Sequence, residues 1–544
     1  MNSLPPNNKS EVISLRIDPE RCTGCVVCLK ACPARAMRVR RGVAQIITEL
    51  CVDCGICYQV CPQGAIRVFA AQLDKINRYP YPVAVPHVAL FSQFGFHTTP
   101  NQVLLALKQV GFKEVVDTSW LCEMVGVATE EFLRAHPAVK PGISPFCPAV
   151  VKLITTRFPG LVPNLIPVLS PRTMAAKGLK QLLARRYGWD PSDVGIFYIA
   201  PCPASLDVLH APIGLTTSYL DEVLCIAEVY GPILKALGNL KEDEKIQRSS
   251  GAGLSWAALG GQAQQVRVEP TMVAAGFKDV VTILEMLEGG RLEDIGFVEA
   301  HICQGGCLSG PLTVENPFRA DSVVRKLVRD LGFQSEVDRE KIRQSMAKGL
   351  FSWEKSLEPH PVRPWGPEPA KAITKMNAIK ELEDRLPHSE CGLCGCPDCR
   401  TFAEDVALGR AQKSDCLVLS FQQRPVTLPR KGKEMTVREL AEKLGLEVAA
   451  GAEGLDRLVT GGYISDLLSD VMARIPQGAL WITLQVHQNV AAVAVLKEVS
   501  AVCLVGGRRP LPETAAKAGE EKIPILLSPD DAFTLAGKLF QAGL

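Results

Sequence analysis

Two stretches near the N-terminus carry the same cysteine spacing. They are CTGCVVCLKACP, which begins at Cys22, and CVDCGICYQVCP, which begins at Cys51, and a short apolar segment follows each. Three cysteines in the spacing C-x2-C-x2-C can bind one face of a 4Fe-4S cluster, while the cysteine before proline reaches the other cluster. The repeat predicts a segment that folds around two clusters, with the ligand sets Cys22, Cys25, Cys28 and Cys61, and Cys51, Cys54, Cys57 and Cys32. A zinc site or a group of unrelated thiols is the alternative.

Composition narrows the class of protein. The 544 residues suffice for three or four domains, and 60 basic against 58 acidic residues give a net charge of only +2. We therefore expect no binding to nucleic acid or to a membrane surface, and we expect the basic run at residues 38–41 to be a solvated patch. The N-terminus lacks the apolar core of a signal peptide, and no apolar run approaches the ~18 residues of a membrane helix. Twenty cysteines, mostly in tight clusters, favour metal binding in a reducing compartment, so a cytoplasmic location is expected.

The remaining chain predicts a multidomain α/β and α+β protein. VAVPHVAL and VGIFYIAP are typical of buried strands, and NQVLLALKQVGF and MAAKGLKQLLARRYG have helical spacing. SLEPHPVRPWGPEPAK, with five prolines, predicts a semi-rigid linker. In the last part TVRELAEKLGL predicts a helix, and ALWITLQV, AAVAVLKEV, AVCLVGG and IPILLS predict strands. The expected domains are a two-cluster unit (1–80), an α/β domain (85–335), a linker (336–375), a small helical cysteine module (376–424) and a C-terminal α/β domain (425–544).

Four further cysteines occupy predicted strand ends or Gly/Pro turns of the α/β domain. Cys147 lies in SPFCPAVV, Cys202 in IAPCPASLDV, and Cys303 and Cys307 in EAHICQGGCLSGP. The backbone can approach an inorganic cluster closely at such positions, and thiolates are soft ligands. The alternative is four unconnected buried cysteines, because free cysteine is a common core residue. Cys122, Cys225 and Cys503 lie in apolar or helical stretches and are predicted to be core residues.

Two resemblances give these patterns a context. The N-terminal repeat resembles bacterial two-cluster ferredoxins, which relay electrons. Residues 87–320 resemble the catalytic domain of iron-only (FeFe) hydrogenases, whose ligands lie in Thr-Ser-Cys-Cys-Pro, Pro-Cys-x-x-Lys and Cys-x-Gly-Gly-Cys loops; GFKEVVDTS, LSPRTM, DEVL and SSGAGLSWAALGG extend the similarity. The resemblance implies that Cys147, Cys202, Cys303 and Cys307 hold a 4Fe-4S cluster, and that Cys307 bridges it to a di-iron subcluster.

The departures from this family bear on activity. Where the family has a cysteine that passes protons to the di-iron centre, this chain has Phe146, and a phenyl ring has no labile proton. Ser205 replaces a lysine, and Ala200 and His301 replace methionines. The four ligand cysteines thus match the family, whereas the residues around them differ from it. His301 and Glu299 are candidates for a substitute proton relay, although a histidine held by packing and one backbone bond is the alternative.

The C-terminal part suggests a fourth cluster and a regulatory domain. Cys391, Cys394, Cys399 and Cys416 resemble the ligands of a single-cluster 4Fe-4S module found in anaerobic redox proteins, with Cys396 as a spare thiol and zinc as the rival metal. Residues 435–544 resemble the DRTGG regulatory domain through DRLVTGGYISDLL. This resemblance implies ligand sensing or partner docking, and a structural cap is the alternative.

Together these features predict a hydrogen or redox sensor, or a regulatory subunit, with slow or no hydrogen turnover. The alternatives are an active ferredoxin-linked hydrogenase and a pure electron-transfer subunit without a di-iron centre. The expected cofactors are four 4Fe-4S clusters, with or without the di-iron subcluster bridged by Cys307. The expected partners are redox proteins, such as ferredoxin or hydrogenase subunits, and a signalling partner.

Overall fold

The computed structural model describes residues 14–188, 190–362, 368–419 and 435–544. The chain divides into two compact units, Met1–Ser420 and Phe421–Leu544. In the described residues no helix is both long enough and apolar enough to cross a membrane. Part of the predicted proline-rich linker, residues 363–367, lies outside the described residues.

The N-terminal segment consists of two similar halves. Each has a short helix after the first two cysteines, Val27–Ala31 in one half and Ile56–Val60 in the other. The residue before each helix, Val26 or Gly55, has a positive φ, so the two cysteine loops make the same tight turn. The strands pair antiparallel, Leu15–Ile17 with Ile66–Val68 and Met37–Arg40 with Val43–Ile46. Only a few apolar side chains, among them Leu15, Leu29, Met37 and Ile66, form the core of this segment.

The α/β domain contains two parallel sheets. The first has the strand order Glu114–Val115, Tyr81–Pro86, Val194–Ala200, Glu222–Cys225, and the second has the order Thr271–Ala275, Phe297–His301, Gly142–Ile143. Every residue of Val194–Ala200 is buried, which explains its unbroken apolar run. The helices are Pro100–Val110, Thr118–Ala135, Pro148–Arg157, Pro171–Tyr187, Pro203–Asp207, Ile226–Leu237, Gly251–Leu254, Gly261–Gln265, Phe277–Glu288 and Pro317–Leu331. This mixed α/β architecture confirms the predicted fold class at that level.

The region between the α/β domain and the cysteine module is more ordered than a linker. It contains the helix Arg339–Ala347, and Phe351 is buried in the core of the α/β domain. A second helix, Pro369–Asp384, begins inside the proline-rich stretch, because proline is tolerated at the first helical position. This helix packs against Cys399–Ala407 of the cysteine module.

The C-terminal unit is a five-stranded sheet with the order Glu447–Ala450, Ile525–Leu527, Ala501–Leu504, Ala479–Thr483, Gly461–Ile464, of which only the first strand runs antiparallel to its neighbour. A small sheet pairs Met435–Thr436 with Leu458–Val459. The helices are Val437–Leu444, Leu468–Arg474, Asn489–Leu496, Pro512–Glu520 and Ala532–Ala542. The predicted strand AAVAVLKEV is therefore wrong: it lies in a helix, because its alanines favour a helix and a short apolar run does not distinguish a buried helix from a strand.

Candidate metal centres

The first predicted N-terminal ligand set lines a single pocket. Cys22, Cys25, Cys28 and Cys61 surround about 350 Å³ of space free of protein atoms, part of it open to solvent. Burial, followed by the charges of the neighbouring thiols, raises the pKa of Cys28 to about 11. The buried Cys28 thiol resists deprotonation unless a cation neutralises it, and iron supplies that charge. The pocket therefore fits the cubane predicted from the crossed ligand pattern.

The second N-terminal set is equally crowded. Burial is the largest cause of the raised pKa values of Cys54 and Cys57, and the charge of Cys32, from the other half of the repeat, contributes to both. The charge of Cys28 also acts on Cys57, so the two sets adjoin. At the end of each half a backbone N–H donates to the proline-preceding cysteine: Ala36 to Cys32 and Ala65 to Cys61, both at 3.3 Å. Such bonds stabilise thiolate charge.

The third set comes together from three distant parts of the α/β domain. Cys147 and Cys202 are the residues before the helices Pro148–Arg157 and Pro203–Asp207, whereas Cys303 and Cys307 follow the strand Phe297–His301. Burial raises the pKa of Cys307 well above its usual value, and the charges of the other three thiols raise it further. Mutual effects of this kind require the four sulfurs to lie close together. The donor chemistry fits a cubane, and their identity as ligands stays a prediction.

Aromatic rings enclose one side of this central site. Phe146 is buried, and its ring centroid lies 5.2 Å from that of Trp256, 5.7 Å from that of His87 and 6.3 Å from that of His301. Position 146 is thus filled by a packed hydrocarbon ring that can neither donate nor accept a proton. Ser205 lies on another side, where its hydroxyl is 3.2 Å from the sulfur of Cys202.

Glu299 and His301 form a buried pair. Nε2 of His301 lies 2.9 Å from a carboxylate oxygen of Glu299. The same carboxylate accepts the backbone N–H groups of Gly260 and Ala263, at 3.0 and 2.8 Å. Glu299 therefore anchors the N-terminal end of the helix Gly261–Gln265, and the pair is held in a closed network of hydrogen bonds. His301 is held by a side-chain partner, which differs from the single backbone bond considered as the alternative.

The central site adjoins the N-terminal segment. The charge of Cys54 contributes to the raised pKa of Cys303, after burial and the charges of Cys202 and Cys147. Lys152 joins the two parts, because its ammonium lies 2.9 Å from the buried Asp53 and 3.4 Å from Asp207. A side chain on Gly55 would come within 2.7 Å of Pro311, so the cysteine loop packs directly against the α/β domain. These contacts fix the second N-terminal set beside the central set.

The C-terminal cysteine module has its own pocket of about 330 Å³, lined by Cys391, Cys394, Cys396, Cys399 and Cys416. The sulfur of Cys396 accepts from Arg40 at 3.3 Å and donates to Asp405 at 3.4 Å. A hydrogen bond from Cys396 lowers the pKa of Cys394 to about 7. Cys396 thus has protein partners of its own in Arg40 and Asp405, and its role as a spare thiol stays a prediction.

The module packs on the N-terminal segment through the basic run. Arg38 is buried and forms two hydrogen bonds with the carboxylate of Asp405, at 2.6 and 3.0 Å. Arg40 binds the same carboxylate at 2.8 Å, and the N–H of Val39 donates to the carbonyl of Gly395 at 3.0 Å. The expectation of a solvated patch is wrong for Arg38 and Arg40, because they neutralise a buried aspartate, whereas Arg41 is exposed. The alternating Arg-x-Arg pattern in the apolar segment after Cys32 was the available signal.

The three remaining cysteines differ in how deeply they are buried. Cys122 and Cys503 are buried in apolar clusters, as predicted, whereas Cys225 is only partly buried at the end of its strand. Within the described ranges no three His, Cys, Asp or Glu side chains converge as they would around a single metal ion. In a cubane each thiolate binds a different iron, so its ligands surround a larger volume.

Comparison with protein families gives three matches. Residues 83–270 match the C-terminal domain of the iron-only hydrogenase large subunit, residues 14–75 match a 4Fe-4S dicluster domain, and residues 386–418 match a putative Fe-S cluster family. The first match ends before Cys303 and Cys307. The assignment of these two cysteines as ligands therefore rests on the geometry of the site and on the resemblance to the hydrogenase family.

Curated relatives cover different parts of the chain. The periplasmic Fe hydrogenase large subunit of Nitratidesulfovibrio vulgaris is 30% identical over 37% of this chain and 52% of its own length. A probable cytosolic Fe-S cluster assembly factor, oxy-4 of Caenorhabditis elegans, is 22% identical over 50% of this chain and 70% of its own. One component of an ion-translocating oxidoreductase complex of Vibrio cholerae is 31% identical over 15% of this chain and 34% of its own. The chain thus spans about half the length of the hydrogenase large subunit that it matches.

Among solved structures, a variant of the FeFe-hydrogenase HydA1 from Chlamydomonas reinhardtii aligns with a TM-score of 0.40 and 16% identity, covering 53% of this chain and 94% of that one. The CBS and DRTGG domains of a Clostridium perfringens pyrophosphatase align with a TM-score of 0.17 and 19% identity, covering 19% and 45%.

Proposed function

Because the chain is a hydrogenase-like iron–sulfur redox protein, we propose that it senses hydrogen or redox state, as a regulatory subunit with slow or no hydrogen turnover. The observation that carries this proposal is the packing of Phe146 beside Cys147. A positioned acid–base group typically contributes ~10²–10⁴ to a rate, and this position offers none. The protein keeps the thiols that bind a cluster and lacks the proton donor that fast turnover needs.

Electrons would move along a row of four clusters. The cysteine module packs on the N-terminal segment through Arg38, Arg40 and Asp405, and the two N-terminal sets adjoin through Cys28 and Cys57. The second set adjoins the central site through Cys54 and Cys303. This order, from the module to the central site, supports a role in which redox partner proteins exchange electrons at one end and the central site responds at the other.

When bound, the clusters supply one-electron redox chemistry, and a di-iron subcluster at Cys307 would supply a site for hydrogen. The protein supplies the surroundings. The aromatic rings around Phe146 exclude water from one side, and Ser205 contacts the sulfur of Cys202. Glu299 bonds to His301 and to the N-terminal end of the helix Gly261–Gln265, which favours a positioning role for the pair over a proton relay.

The C-terminal unit, Phe421–Leu544, would report the change to a signalling partner or bind a regulatory ligand. This part of the proposal rests on the DRTGG-like signature at residues 456–468 and on the parallel sheet, whose strand ends are a common place for ligands.

The test combines infrared spectroscopy with a hydrogen-evolution assay on protein matured with a di-iron cofactor. Bound carbon monoxide and cyanide bands with little turnover from reduced viologen would support the sensor, and a fully active wild type would overturn it. Wild type without these bands would favour the pure electron-transfer role. We expect Phe146→Cys to raise turnover partially, because Ser205 and Ala200 stay unchanged. Phe146→Ala is the matched control, since it opens similar space without adding a thiol.

A further inference from the structure

A buried arginine lies beside the central site. Arg172, at the second position of the helix Pro171–Tyr187, is 3% exposed. Its Nη1 donates to the carbonyl oxygen of Phe146 at 3.3 Å, whereas its Nε is buried without a hydrogen-bond partner. None of the ion pairs found among the described residues includes Arg172. A guanidinium stays charged when it is buried, so this side chain brings a positive charge into the core.

The guanidinium is bonded to the loop that carries one of the four central cysteines. Its acceptor is the carbonyl of Phe146, the residue before Cys147, and Cys147 in turn immediately precedes the helix Pro148–Arg157. Arg172 therefore lies at the central site and holds the Cys147 loop in place.

None of the neighbouring titratable groups forms an ion pair with the guanidinium among the described residues. Burial lowers the pKa of His87 to about 3, with Arg172 and His301 contributing, so His87 is neutral near pH 7. The carboxylate of Glu299 is bonded to His301 and to two backbone N–H groups instead of to Arg172. Burial keeps the pKa of Tyr198 above its usual value despite the opposing effect of Arg172, so this phenol is neutral too. A buried cation without an ion-pair partner is costly, which indicates that its partner is an anionic group held at the central thiols.

We propose that Arg172 is the positioning cation of the central site: its guanidinium balances the negative charge of the iron–sulfur group held at the central thiols, while its bond to the Phe146 carbonyl fixes the Cys147 loop. This inference rests on the central cluster of the proposed function. A fixed positive charge beside a cluster favours its reduction, because reduction adds negative charge.

The experiment is a redox titration followed by electron paramagnetic resonance on the full-length, cluster-loaded protein. Arg172→Gln should lower the equilibrium constant for reducing the central cluster at least tenfold, which is about 59 mV for one electron. The N-terminal clusters serve as internal references and should keep their potentials. Arg172→Lys, which keeps the charge, should retain most of the potential. Arg185→Gln removes an exposed charge from the same helix and should change nothing.

Each outcome decides the inference. A wild-type potential in Arg172→Gln overturns it. Loss of the central cluster in Arg172→Gln, with iron content retained in Arg172→Lys, supports it, because only the charge then matters. Loss of all clusters in both variants would show that Arg172 is needed for the packing of the fold, and this result would overturn the inference. If wild type binds no central cluster by iron analysis, the proposed function fails first, and this inference fails with it.

Discussion

The N-terminal cluster sites and the central site use the same kind of ligand but assemble it differently. In the N-terminal segment eight cysteines lie within 40 consecutive residues, Cys22 to Cys61, and the short turns before Val27–Ala31 and Ile56–Val60 present them. At the central site the first and last of the four cysteines, Cys147 and Cys307, are separated in the sequence by strands that belong to both sheets of the α/β domain.

This difference shows which parts of each site can change. In the N-terminal segment the core is small and includes the predicted ligand cysteines themselves, so a change near the clusters also changes the core. The central thiols are held by a large α/β core, so the residues around them can vary while the ligands stay in place. Phe146, Ser205 and Arg172 are such residues.

The largest expected effect comes from removing a ligand at the dispersed site. Cys307→Ser should lose the central cluster, about four irons per chain, and keep the N-terminal clusters, because the α/β core does not depend on metal. Iron and acid-labile sulfide analysis of reconstituted protein measures this. Cys503→Ser, a core cysteine of the C-terminal unit, is the control. Equal iron content in the two variants would contradict the assignment of Cys307.

Next in size is the buried ion pair that joins the cysteine module to the N-terminal segment. Asp405→Asn should leave Arg38 without a counter-charge and destabilise this contact by about 3–5 kcal/mol. The measurement is hydrogen exchange of the backbone amides at residues 37–40 and 394–397. Asp384→Asn, an exposed aspartate of the neighbouring helix, should leave this exchange unchanged. Unaltered protection in Asp405→Asn would show that the module is held by other contacts.

A smaller effect is expected at Lys152, which joins the N-terminal segment to the α/β domain. Lys152→Met leaves Asp53 and Asp207 close together without a cation, but Lys152 is partly exposed, so we expect a loss of about 2–3 kcal/mol. Thermal unfolding monitored by cluster absorbance measures it, with the exposed Lys278→Met as the control. A midpoint equal to that of wild type would show that apolar packing at Gly55 suffices.

The smallest expected effect concerns acid stability near Phe146. Burial lowers the pKa of His87 from its usual value of 6.5 to about 3 in the folded chain. Between these two pH values the unfolded chain therefore binds a proton that the folded chain does not. Stability is therefore fully present above pH 6.5 and is lost as pH falls toward 3, at about 1.4 kcal/mol per pH unit. His87→Gln should show a smaller fall in unfolding midpoint between pH 7.5 and 5.5 than wild type. Parallel curves for the two proteins would rule out His87 as a source of this pH dependence.

Several elements were predictable because they depend on nearby residues. Val194–Ala200 was predicted as a buried strand from its apolar run, and the iron–sulfur character of residues 14–75 and 386–418 from cysteine spacing. The helix Asn489–Leu496 was missed because a short, wholly apolar run fits both element types. The role of Arg38 was missed because its partner, Asp405, lies 367 residues away.

The sequence by itself determined that this chain binds iron–sulfur clusters, since ligand spacing is a local property that survives in any fold that keeps the turns. Only the tertiary structure decided how those ligands are surrounded. It places Phe146 among Trp256, His87 and His301, buries Arg172 against the carbonyl of Phe146, and brings Cys54 near enough to Cys303 for their charges to interact. These contacts connect residues that are far apart in the sequence. Burial and charge depend on distances in space, and the spacing of residues along the chain does not reveal those distances.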